Sequence, residues 1–330
     1  MMFRGAHTCW LVLCVVLLGV CLPSPAYAVI FLSTADPDHN TNAPTGELAG
    51  SGWQWVGIWG GCQGVPIGPH HFLAAHHIGG NVGDPFTFDG VVYTTTAYHD
   101  DSTTDLRMWE VSGTFPTWAQ VYRGSDEVGR RLVVFGRGLG RGAEVRVNNV
   151  LRGWQWGGGD GRLRWGENVV TAVIDGGSYW GTFLYAMFDQ NGLPEEAHLA
   201  RGDSSGPVFI NDGTGWKLAG VAAAVDGPFN TTSSGNGFDA ALFDARDLYV
   251  DNNGTWQLIA DSSPVPSGFY ATRVSVRATW IDSIVPPEMV PDSTDAPLLP
   301  PGGLMVLALS FLGAGAWFLR RYPETSRANA

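Results

Sequence analysis

From Ser51 to Val285 the chain is a succession of short apolar runs cut by turn residues, with no long stretch that keeps a helical period. Trp53–Trp59, Phe72–Ala75, Val91–Ala97, Leu106–Val111 and Arg131–Phe135 are such runs. Ala143–Val150, Asn168–Ile174, Pro207–Ile210 and Trp216–Val225 continue the series. Most have strand length and many β-branched or aromatic residues, which suit a pleated, half-buried surface. Asn211-Asp212-Gly213 between two of them predicts a hairpin. Glycine, 45 of 330 residues, and a charged fraction of 15% fit an all-β, turn-rich chain better than a helical one. Trp280, Ile281 and Ile284 have helical spacing and predict one short helix at the end of this region. Gly-Trp-Gln-Trp occurs at Gly52–Trp55 and again at Gly153–Trp156; a duplicated fold or chance in a Trp- and Gly-rich chain would each explain it.

The two ends read differently. Residues 1–28 have the form of a signal peptide, with Arg4, an apolar stretch and a small-x-small site at Ala26-Tyr27-Ala28, so a mature chain beginning at Val29 is expected. Cys9, Cys14 and Cys21 would leave with it, and Cys62 alone cannot form an internal disulfide. Residues 29–50 read as a lead-in loop, 51–285 as the folded domain with a division near 115–125, and 286–301 as a linker. Residues 302–319 form an apolar span of roughly membrane-crossing length, followed by Arg320 and Arg321 in a cytoplasmic tail, 320–330. Val290-Pro291-Asp292-Ser293, the span and the arginine pair resemble PEP-CTERM sorting tails of the VPDSG kind. That resemblance implies an exosortase-type processing partner in a Gram-negative-like bacterium. Thr294 in place of glycine and the longer tail depart from it, and a plain membrane anchor is the alternative. The expected location is the periplasm, cell surface or medium, with at least transient membrane attachment.

A net charge of -12 argues against a general nucleic-acid binder. The arginines between Arg123 and Arg164 read as solvated hairpin faces or a local anion site. No cofactor is expected. A metal site from His70, His71, His76 and His77 is disfavoured, because neighbouring side chains on a strand diverge.

Three stretches carry chemistry. Gly202-Asp203-Ser204-Ser205-Gly206-Pro207 sets a serine in a tight turn whose glycines let backbone amides face one point. Leu73-Ala74-Ala75-His76 brings a histidine after small residues, and Asp105 opens the run Leu106–Val111. Singly, each reads as a turn, a structural histidine or a strand-end cap. Together they stand in the order His76, Asp105, Ser204.

These stretches resemble the motifs T-A-A-H-C, D-I-x-L and G-D-S-G-G-P of chymotrypsin/trypsin-like serine proteases. Trp216-Lys217-Leu218-Ala219-Gly220-Val221 and Ser267–Ser275 with Trp280-Ile281 extend the likeness across about Trp53 to Ile284. It implies two packed six-stranded antiparallel β-barrels and a short C-terminal helix. It implies a secreted serine endopeptidase acting on protein or peptide substrates through His76, Asp105 and Ser204, with Gly202 and Ser204 amides as the oxyanion hole. It places His198 at the base of the primary pocket and Val225 in its wall, favouring a small or medium apolar side chain or, by way of His198, an acidic one. It also gives Asp203 an ion-pair partner, which in many relatives is a freshly cut N-terminal amine; here signal removal would expose Val29. Departures are His77 at a half-cystine position, Ser205 in place of a glycine, tolerable at negative φ, and Ala223 where a serine usually supports the aspartate. Cys62 is then expected as an unpaired, buried thiol. A catalytically silent trypsin-like surface or peptide-binding protein is the competing reading.

Overall fold

The computed structural model describes residues 29–286. The expected signal peptide, nearly all of the expected linker, and the expected apolar span and tail lie outside the described residues.

The expected all-β architecture is what the chain adopts. Its first half is a closed barrel of six strands. In spatial order these are Gly57–Trp59, Cys62–Gly68, His71–Ala75, Leu106–Val111, Val91–Asp100 and Pro85–Phe88. Aromatic side chains fill it: Trp59, Phe72, Phe86, Phe88, Tyr93, Trp109 and Phe115 are buried in one cluster. Phe72 and Phe86 stack with centroids 3.8 Å apart. Such pairs add about 0.5–1.5 kcal/mol each beyond area burial. Glycine makes the room: a Cβ at Gly57 would lie 2.2 Å from the Phe86 ring.

The second half is a second antiparallel barrel, whose six strands count as seven segments because one of them bends. Its order is Arg164–Val169, Arg131–Gly136, Pro207–Asn211, Trp216–Val225, Gly268–Arg273, Thr182–Met187 and Ala172–Asp175. The run expected over Asn168–Ile174 is that bent strand: the Val170 amide donates to the Arg130 carbonyl and the Thr171 amide to the Tyr185 carbonyl, so the two ends of the series meet. The Asn211-Asp212-Gly213 hairpin forms as expected, with Asn211 opposite Trp216. A buried layer joins the halves, with Val65, Leu73, Leu106 and Met108 from the first barrel against Val133, Phe135, Phe209 and Leu218 from the second. The short helix forms at Ala278–Ile284 and drives Ile281 into the same layer.

Two additions extend the second half. Residues 226–267 leave the second barrel between two neighbouring strands and build a small sheet from Phe229–Asn230, Tyr249–Asn252 and Thr255–Leu258. Their strand Ala240–Leu242 pairs with Val150–Trp156, which forms a hairpin with Arg141–Val147. Asn148 and Asn149, at φ 49° and 64°, make its two-residue turn. The two Gly-Trp-Gln-Trp copies differ: Trp53–Trp55 is a 3-10 turn, whereas Gly153–Trp156 lies in this strand. Gly153 is required there, because a Cβ would fall 2.1 Å from the Ala241 carbonyl oxygen.

Candidate active site

The strand His71–Ala75 pairs with Leu106–Val111 and then tightens into a 3-10 turn, His76–Ile78. The turn sits directly on Asp105, since the His76 amide donates to the Asp105 carbonyl at 3.0 Å. Its next residue faces the aspartate side chain. The His77 amide donates to Asp105 Oδ1 at 2.9 Å, and His77 Nδ1 lies 2.6 Å from Oδ2. Asp105 is only 4% exposed.

This corrects the expected assignment of His76. Neighbouring side chains diverge, so one carboxylate holds one of the two rings. The His76 ring lies instead near Asp100, with Nε2 3.8 Å from Oδ2, and Arg107 grips that carboxylate from the other side.

The serine turn follows the strand end at His198. Asp203 beneath it is fully buried, and its oxygens accept from Gly138 and Ala200 amides at 2.8 Å each. The Val29 amide donates a third hydrogen bond. Burial pushes the Asp203 carboxyl up to about 7, against the pull of these three amides. Val29 is itself buried, and holds φ at 61°, a strained conformation for a β-branched residue. Among the described residues, neither the Gly202 nor the Ser204 amide donates to a protein acceptor, whereas those of Asp203, Ser205 and Gly206 all do. Ser205 stands at φ 64°, so the condition of a negative φ for easy tolerance is not met, and its buried Oγ accepts from the Ala75 amide at 2.9 Å.

A cavity of about 240 Å³ opens beside Ser204. Leu199, Ala200 and Ala222–Val225 line it. Trp156 from the added hairpin and the exposed Arg201 complete the lining. Trp156 escaped the sequence reading because the Gly-Trp-Gln-Trp repeat that contains it gives no reason to place it beside Ser204; the hairpin carries it there. His198 is not part of this wall. It is fully buried opposite Ile30, with Nδ1 2.6 Å from the Leu199 carbonyl and Nε2 3.3 Å from Ser267 Oγ. Burial pushes its pKa down and favours the neutral ring. Cys62 is unpaired, as expected, but half-buried rather than buried, and burial pushes its thiol up. Among the described residues, no three His, Cys, Asp or Glu side chains are arranged to hold a metal ion.

No family model and no curated protein matches the chain. A solved structure that it resembles is neuropsin, a serine protease expressed in the limbic system of mouse brain. The two are 15% identical, the match covers 71% of this chain and 96% of that one, and the TM-score is 0.42. So distant a likeness adds nothing to the geometry above.

Proposed function

We propose that the chain is an exported serine endopeptidase in which His77, Asp105 and Ser204 are the triad. The observation that carries this reading is the two-point grip of Asp105 on His77. With Nδ1–H donated to the carboxylate, Nε2 is left as the base, and the buried carboxylate stabilises the imidazolium that forms. Ser204 Oγ attacks a peptide carbonyl, His77 Nε2 takes its proton, and the ring returns it to the leaving amine. The acyl-enzyme is then released by water. The unengaged amides of Gly202 and Ser204 receive the oxyanion. The cavity beside Ser204 takes a small or medium apolar side chain, with the neutral His198 held out of it.

Export supplies the remaining part. Cleavage after Ala28 would turn the Val29 amide, already at the buried Asp203, into an ammonium, and would abolish the strained φ together with the peptide bond that defines it. The C-terminal span would hold the product at a membrane until a sorting enzyme acts.

Labelling with a fluorophosphonate, together with peptide-library cleavage, tests the reading. Wild type should label at Ser204, and Ser204→Ala should not. His77→Ala should lower turnover by roughly 10⁴-fold or more, while His76→Ala stays within about ten-fold of wild type. A His77→Ala variant that labels as fast as wild type would leave the catalytically silent reading in possession.

A further inference from the structure

Two buried polar side chains near Ser204 have no part in the chemistry above. Gln63 lies on the barrel strand Cys62–Gly68 and is fully buried. Its neighbours fix its amide, because one is a carbonyl that can only accept and the other an N–H that can only donate. In that orientation its nitrogen donates to the Ser204 carbonyl oxygen at 2.8 Å, and its oxygen accepts from the Arg137 amide at 2.8 Å. Arg137 directly precedes Gly138, whose amide holds Asp203.

The second side chain is Ser205. It is fully buried and takes a left-handed conformation that glycine adopts without cost. A strained non-glycine residue persists where surrounding structure over-determines it, and such residues gather at functional sites. Here the hydroxyl accepts from the amide of Ala75, two residues before His77.

We propose that Gln63 and Ser205 are positioning residues, a two-point polar clamp that fixes the serine turn of the second half against the histidine-bearing strand of the first barrel. One arm holds the Ser204 backbone from below, and the other ties the next residue to the strand leading to His77. Among the described residues no disulfide joins the two halves, so these buried bonds set the register between nucleophile and base. Each is worth more than an exposed bond, because losing one partner leaves the other buried and unpaired. The role in catalysis rests on Ser204 being the nucleophile; the clamp itself does not.

The test compares the full chain with its Gln63→Met and Ser205→Gly variants in three measurements. These are the fluorophosphonate labelling rate well below the melting temperature, kcat and KM on a cleaved peptide, and amide hydrogen exchange across residues 202–206. Ser205→Gly relieves the left-handed strain and should fold even if Gln63→Met does not. Labelling and kcat about ten-fold slower or more, with KM within about three-fold and faster exchange over 202–206, is the expected result. Unchanged exchange in a folded variant overturns the clamp, and faster exchange with unchanged labelling and kcat overturns its catalytic role. If wild type itself does not label while both variants exchange faster, the protease reading falls and the clamp stands.

Discussion

The two halves of the fold are held together by different means. The first barrel is closed and filled by rings, with Phe72 and Trp109 inaccessible to solvent. The second barrel buries charges as well as apolar side chains. Glu127 is fully buried against Arg273, at 2.8 and 2.7 Å, and Ser275 Oγ donates to it as well. Arg152 meets Asp244, and Arg131 meets the buried Glu167. Glu196, with its oxygens on the Asp189 and Leu193 amides, is pushed up by burial to about 7. Apolar packing does not titrate, whereas buried ions do. The ring-filled core of the first barrel should therefore add little pH dependence, although Asp101, Asp105 and Arg107 are buried outside that core, and the half that carries Ser204 should answer to pH.

Three measurements would break or sharpen this contrast. Phe72→Ala should cost about 4 kcal/mol in urea unfolding, nearly equal at pH 5 and pH 8, since a stacked ring leaves a cavity without changing any charge. A loss that varied strongly with pH would remove the distinction. Arg273→Met should cost about 3 kcal/mol near pH 7 by leaving Glu127 buried without its cation. In wild type the Arg273 and Ser275 hydrogen bonds hold the Glu127 carboxyl below its ordinary 4.5, despite the opposing effect of burial. The stabilisation is thus present above 4.5 and fades as the pH falls, so the variant's deficit should shrink in acid.

The third measurement compares a chain that keeps Ala28 with one that begins at Val29. In the first, Asp203 has a carboxyl raised from 3.8 to about 7. Its favourable contribution is full below 3.8 and is lost as the pH rises through about 7. With a free ammonium at Val29 the carboxylate is the favoured form, and that loss should disappear. Melting curves between pH 4 and 8 decide it; parallel curves would mean that the amine does not reach Asp203.

Much of this could be read from residues alone. Strand-length apolar runs and turn residues give the strands, Ser204 stands in an uncommon string, and Asp105 gains weight from its place between the histidines and that string. The choice between His76 and His77 could not be read, because the two are adjacent and the decision depends on which ring the 3-10 turn aims at Asp105. Gln63 did leave a signal: it alternates with Val65 and Ile67 and so lies on the apolar face of its strand. The hairpin of Arg141–Trp156 was hidden because its turn is two asparagines in the left-handed region, within a stretch that reads as one continuous run. His198 was misplaced because aligned position says nothing about the direction of a ring.

Cys62 is the one cysteine among the described residues. A molecule whose halves, among the described residues, are knitted by packing, buried hydrogen bonds and the Asp101–Arg277 ion pair rather than by a disulfide can reach its native state without an oxidant or a disulfide isomerase. Dithiothreitol should leave its melting curve where it was, and its shape should survive passage between reducing and oxidising surroundings.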